Sequence, residues 1–198
     1  MKKMHSQDKH KEDICPVAAG YLLICPVRRL IHNPESILRP YIREGMTVLD
    51  IGPAMGYFTI PMAKMVGETG IVIAVDIQEE MLKKLQKRAL HAGVAERIVL
   101  IQADTKSLGL NKYKGMVDFA LAFAVVHEVP DADTLFREVF ISLKDGGKVL
   151  FVEPKGHVSR KKFDESIVSA EKAGFRQEGY PTVFLSHSVL LVKACKNA

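Results

Sequence analysis

Val48-Leu49-Asp50-Ile51-Gly52-Pro53-Ala54-Met55-Gly56-Tyr57-Phe58 is an apolar run that ends in a loop of small residues and passes into a segment of helical period. A short apolar run closed by glycine predicts a strand buried on both faces. Gly52, Ala54 and Gly56 then leave room for a ligand to approach the backbone, and a helix expected to begin near Tyr57 turns its positive end toward the gap. The plainer alternative is a glycine turn joining strand to helix with no ligand, so the neighbouring strand ends matter.

Working outward, residues 47–51, 71–75, 97–101, 117–124 and 148–152 read as strands of the same doubly buried kind. Between them lie amphipathic helices. In 78–92, Met81, Leu82, Leu85 and Ala89 form one stripe, Glu79 and Glu80 occupy the first turn, and Gly93 closes the end. In 131–143, Leu135, Phe136, Val139, Phe140 and Leu143 face inward, and Asp145-Gly146-Gly147 supplies the turn into the next strand. A third helix, 159–173, stops at Gly174. Alternating strands and helices favour right-handed crossovers and a doubly wound α/β sheet. Residues 175–184 and 189–194 break the alternation, because the four residues between them are too few for a crossover, and so predict an antiparallel hairpin.

The 198 residues suffice for one domain, and 47% hydrophobic content supports a core. The net charge of +5 permits anionic partners without requiring them. Residues 1–13 are nearly all polar and predict a frayed tail; 14–40 form an arm broken by Pro16 and Pro26. The expected division is therefore 1–36 as tail and arm, and 37–198 as the domain. The apolar stretch 14–27 is too short for a membrane span and lacks a cleavage site, and Cys15, Cys25 and Cys195 are too few for a disulfide framework. A cytoplasmic protein without membrane association is expected.

Asp76 ends the second strand, about 20 residues beyond Gly56, where a carboxylate can accept from both hydroxyls of a ribose. Ile77 offers an apolar face to a purine, and Asp104, ending the third strand, can accept from an adenine amino group. A dinucleotide calls for Gly-x-Gly-x-x-Gly, with its pyrophosphate on the helix N-terminus. Here Asp50 stands just ahead of Gly52, repelling a pyrophosphate and favouring a cation. S-adenosylmethionine, with a sulfonium and an amino group beside its adenosine, fits better.

Residues 48–63 resemble the glycine-rich first motif of class I S-adenosylmethionine-dependent methyltransferases, Ile73-Ala74-Val75-Asp76 their second and Ile101-Gln102-Ala103-Asp104 their third. Residues 117–129 and Leu143-Lys144-Asp145-Gly146-Gly147-Lys148-Val149-Leu150-Phe151-Val152-Glu153 resemble the later motifs. The likeness covers about residues 37–198 and implies a single Rossmann-like domain, with a seven-stranded, mostly parallel sheet and an antiparallel C-terminal hairpin strand. It implies a cofactor set of Asp50, Gly52, Pro53, Ala54, Gly56, Asp76, Ile77, Asp104, Thr105 and Phe123. Ala54 departs from the motif, which usually has glycine there.

Within that family the chain is most similar to small-molecule enzymes of the ubiquinone, menaquinone and arsenite type, through His127-Glu128-Val129-Pro130-Asp131 and the following Leu-Phe-Arg-Glu helix. Nucleic-acid amino-methylating members typically carry Asn or Asp, then Pro-Pro and an aromatic, where this chain has Ala122-Phe123-Ala124-Val125. A small-molecule acceptor is expected and nucleic acid disfavoured. An RNA-modifying enzyme and a non-catalytic cofactor-binding module are the alternatives. His127 and Glu128, just past the fourth strand, are the candidate catalytic pair, with His127 placed to take a proton from a phenol, thiol or acidic carbon; local backbone pairing is their plainer role. No metal site is expected: Cys15 and Cys25 lack zinc-site clustering and read as packing residues, although an arm folded over the site would bring two thiols toward a soft metalloid. Tyr21, Leu22, Leu23 and Ile24 are expected to form a lid or a homodimer contact.

Overall fold

The structure, a computed structural model, describes residues 31–194. The N-terminal arm with Cys15, Cys25 and Tyr21 to Ile24, and Cys195 at the other end, lie outside the described residues.

The chain opens with α1 (Pro34–Leu38), whose Asn33 cap accepts from the Glu35 and Ser36 N–H groups. It continues through β1 (Thr47–Ile51), α2 (Thr59–Met65), β2 (Ile71–Asp76), α3 (Glu79–His91), β3 (Ile98–Gln102), β4 (Val117–Phe123), α4 (Ala132–Ser142), β5 (Leu143–Pro154), α5 (Arg160–Ala173), β6 (Phe175–Gly179) and β7 (Ser186–Lys193). The seven strands lie in the order β3-β2-β1-β4-β5-β7-β6. The pairs among β1 to β5 are parallel, and β7 runs antiparallel to both β5 and β6. This is the expected doubly wound sheet with its C-terminal hairpin.

Alternation along the strands sends side chains to two cores. Leu49, Ile51, Ala120, Ala122, Val149 and Phe151 meet α4 and α5 through Phe136, Val139, Phe163 and Ile167. Val48, Phe119, Leu121 and Leu150 meet α1 and α2 through Leu38, Met62 and Ala63. Asp50, between Leu49 and Ile51, is carried to this second side and is almost fully buried there. Among the described residues, no helix is long and apolar enough to cross a membrane.

Several boundaries differ from those expected. α2 begins at Thr59 rather than near Tyr57 and is only seven residues long. Strand β5 begins at Leu143, before the glycine turn, because Leu143 already pairs with Val117; the pairing resumes only at Lys148 with Phe119, and the intervening residues bulge. The expected strand 175–184 stops at Gly179, since Pro181 has no N–H for a ladder. β7 then starts at Ser186, earlier than expected, because Ser186 already pairs with Pro154.

Candidate functional site

The crossovers leave β1 in one direction and β4 in the other, so a crevice opens where the carboxyl ends of these neighbouring strands part. A cavity of about 1050 Å³ lies there. That is ample for a nucleoside-sized ligand together with a small second molecule.

The loop after β1 forms one wall with Asp50, Gly52, Pro53 and Ala54. Gly52 has φ +67°, and a Cβ on it would fall 2.6 Å from Val125 Cγ2. Its N–H donates to the Val75 carbonyl at 2.9 Å, tying the loop to β2. Ala54 also sits at positive φ, +47°, and donates its N–H to Asp76 Oδ2 at 3.2 Å. Gly56, grouped with these residues by the sequence motif, does not line the cavity. Its φ is +84°, and a Cβ there would collide with the Leu85 side chain, so glycine lets the loop pack closely against α3.

Three acids follow the strand ends. Asp50 accepts from Thr59 Oγ1 at 2.6 Å. Burial pushes its carboxyl up to about 7, against the pull of the Thr59 hydrogen bond and with a further push from the Asp76 charge. Burial also raises Asp76, opposed by the N–H groups of Gln78 and Ala54, which bind one carboxylate oxygen each. An ionised carboxylate has about four lone-pair positions, so Asp76 keeps capacity for ribose hydroxyls. Asp104 is exposed and takes the Lys106 and Ser107 N–H groups at 2.7 and 2.8 Å on the same oxygen, Oδ1. Both hydrogen bonds belong to a local turn, the plainer role for such a residue, and neither uses Oδ2. Ile77 and Thr105 line the wall beside Asp76 and Asp104.

At the other end stand Phe123, His127 and Glu128. His127 Nδ1 lies 2.6 Å from Glu153 Oε2, and the His127 backbone N–H donates to Glu153 Oε1 at 3.1 Å. Glu153, at the end of β5, is 1% exposed. The hydrogen bond to Glu153 raises the His127 pKa above its ordinary value, burial works against it, and the charges of Glu153 and Glu128 add to the rise. Glu128 Oε1 is 3.9 Å from His127 Nε2.

The structure thus gathers every expected site residue except Gly56 around one cavity, and adds others that the sequence did not single out. His32 is among them, its ring in an edge-to-face arrangement with Phe123 at 5.1 Å between centroids and its Nε2 2.8 Å from the Phe184 carbonyl. Tyr57 hydroxyl donates to the His32 carbonyl at 2.8 Å. His157 and Lys162 were likewise missed, as was Glu153, which does not line the cavity but holds His127 from one residue before the end of β5. An acid close to the end of an apolar strand is the signal that found Asp76 and would have found it. Among the described residues, no group of three or more His, Cys, Asp or Glu is placed to hold a metal ion.

These groups fit an adenosyl cation. The buried acids Asp50 and Asp76 favour positive charge, Asp76 has acceptor capacity left, and Ile77 and Phe123 supply apolar wall. A family model described as a methyltransferase domain matches residues 42–180. A 115-residue stretch is 33% identical to a ubiquinone/menaquinone biosynthesis C-methyltransferase, UbiE, of Escherichia coli; it makes up 57% of this chain and 44% of that protein. The chain therefore spans less than half the length of the curated relatives it matches. A crystal structure described as a SAM-dependent methyltransferase from Aquifex aeolicus superimposes with a TM-score of 0.81 at 24% identity, covering 91% of this chain and all of that one. One described as a putative S-adenosyl-L-methionine-dependent methyltransferase from Methanococcus maripaludis gives 0.73 at 18% identity, over 100% of this chain and 99% of that one. Both likenesses establish the fold.

Proposed function

The chain belongs to the methyltransferase domain family, and from that premise we propose that it binds S-adenosylmethionine and transfers its methyl group to a small-molecule acceptor. The observation that carries this reading is the pair of buried carboxylates, Asp50 and Asp76, at the carboxyl ends of adjacent parallel strands, facing one cavity.

In this reading Asp76 holds the ribose, Ile77 and Asp104 the adenine, and the Gly52 to Ala54 loop the methionine portion. When bound, S-adenosylmethionine supplies a methyl group already activated by its sulfonium. The chain's share of the work is alignment and exclusion of water. Phe123, Phe58 and Tyr57 give the cavity an aromatic side, while His127 and Glu128 line it just beyond β4. The match to a protein named as a quinone-biosynthesis C-methyltransferase supports a small acceptor over nucleic acid.

Calorimetry with S-adenosylmethionine and S-adenosylhomocysteine tests the binding, with NAD as the control. Heat from the first two and none from NAD is the expected result; saturation by NAD alone overturns the reading. Formation of S-adenosylhomocysteine across a metabolite panel then separates an enzyme from a module that only binds.

A further inference from the structure

We infer that Glu153 is a positioning residue, holding His127 with Nδ1–H directed at β5 and Nε2 left to take a proton, so that the acceptor is of a class that must lose one: a phenol, an enol or a thiol. This inference rests on the methyl-transfer reading above and deepens it.

The argument starts from the cost of burying Glu153. A carboxylate 1% exposed at a strand end is unfavourable unless both oxygens are satisfied. Both are satisfied by one residue, His127, through its backbone N–H and its ring. An ionised carboxylate only accepts, so the contact with Oε2 places the proton of the neutral imidazole on Nδ1 and leaves the Nε2 lone pair as the basic position. The two contacts also tie a short turn to the neighbouring strand. His127 sits in a three-residue 3₁₀ segment, Val126–Glu128, and an attachment at backbone and ring together sets the turn and the ring orientation against a rigid strand.

The other ionisable groups around His127 are Glu128 on its own turn, Lys162 on α5 and His157 between β5 and α5. The Glu128 charge favours protonation, and the Lys162 charge opposes it. The His157 ring lies nearly parallel to that of His127 at 6.3 Å between centroids. An acceptor amine with a free lone pair needs no base before attack, whereas a hydroxyl, enol or thiol does. In the proposed step the acceptor's proton passes to Nε2 and the electron pair it leaves forms the bond to the methyl carbon. The pair of the broken carbon–sulfur bond stays on sulfur, and the imidazolium later gives its proton to water.

The first test is nitrogen NMR of the imidazoles in the full chain, with His127 assigned by its absence from His127→Gln. A neutral ring protonated on Nδ1 and a titration above about 6.5, the ordinary value, are expected. A neutral ring protonated on Nε2, or a titration at or below that value, overturns the proposal. This measurement needs neither cofactor nor acceptor, so it is independent of the calorimetric test of methyl transfer. In Glu153→Gln the His127 titration should move down, because the hydrogen bond and charge that raise it are removed. Turnover of phenol or thiophenol probes should fall about 10- to 100-fold, with S-adenosylhomocysteine affinity held within about threefold. A folded Glu153→Gln variant whose His127 titration is unmoved overturns the proposal; if that variant does not fold, the tautomer and titration of the native chain decide it.

Discussion

Ala54 donates its backbone N–H to Asp76 Oδ2 at 3.2 Å while held at φ +47°. One carboxylate thus fastens the loop after β1 to the end of β2, and it does so through a residue in a backbone region that L side chains avoid. A left-handed conformation costs a non-glycine residue about 1–2 kcal/mol, and glycine loses about 0.5–1 kcal/mol more chain entropy on folding. Ala54→Gly is therefore expected to stabilise the protein by up to about 1 kcal/mol in urea unfolding; a loss of stability would show that the alanine methyl makes packing contacts outweighing its strain.

Asp76→Ala removes the acceptor of both the Ala54 and the Gln78 N–H groups as well as the proposed ribose partner. Hydrogen bonds to a charged group contribute about 1.5–3 kcal/mol. Calorimetric affinity for S-adenosylhomocysteine should drop by at least about tenfold. An affinity within twofold of the parent would assign the ribose to another residue.

Gly56→Ala should destabilise the fold by about 1–2 kcal/mol through its positive φ alone, with a further loss because Leu85 must move from a fully buried position. Pairing it with Leu85→Ala should recover part of that contact penalty, which a double-mutant cycle in chemical unfolding reads directly. Strict additivity of the two changes would contradict the packing explanation for Gly56.

Asp50 gives a pH dependence of defined sign. Its carboxyl titrates near 4 in the unfolded chain and is pushed up to about 7 in the fold. Between those values the folded state holds the extra proton, so this group's contribution to stability falls as pH rises from about 4 to 7 and stays low above. Asp50→Asn keeps an acceptor for Thr59 Oγ1 and should flatten the fall, by up to about 4 kcal/mol for a three-unit displacement. Unfolding curves at pH 5 and pH 8 measure it. A cationic ligand beside Asp50 favours its ionised form, so S-adenosylmethionine binding at pH 6.5 should release protons, seen as a dependence of the binding heat on the buffer's ionisation enthalpy.

His127 has a linkage of the same sign. Its pKa is raised in the fold, so the stability it contributes is complete below its ordinary value and is lost as pH rises through the raised one. Base catalysis needs the neutral ring, and kcat should climb over that same interval. His127→Gln should lower kcat by about 100-fold or more while leaving cofactor affinity unchanged. Unchanged turnover would remove it as the base.

Local patterning was enough to read the parallel strands, their helices, the closing hairpin and the acids at the strand ends. Each of those features is written within a few residues: a doubly buried run, a stripe at helical spacing, an acid at the end of an apolar segment. That information is short-range, because the backbone's own periods impose it. The tertiary structure decided which of the small residues line the cavity and which pack away from it, since Gly56 meets Leu85 on a separate helix. It decided the burial that pushes the Asp50 carboxyl up, because that burial comes from the folded surroundings of β1 and not from neighbours in sequence. It also joined Glu153 to His127 from the ends of two neighbouring strands, and brought His32 and Lys162 to the same cavity from distant parts of the chain. Such contacts depend on strand order and register, which bring together groups that no local period relates.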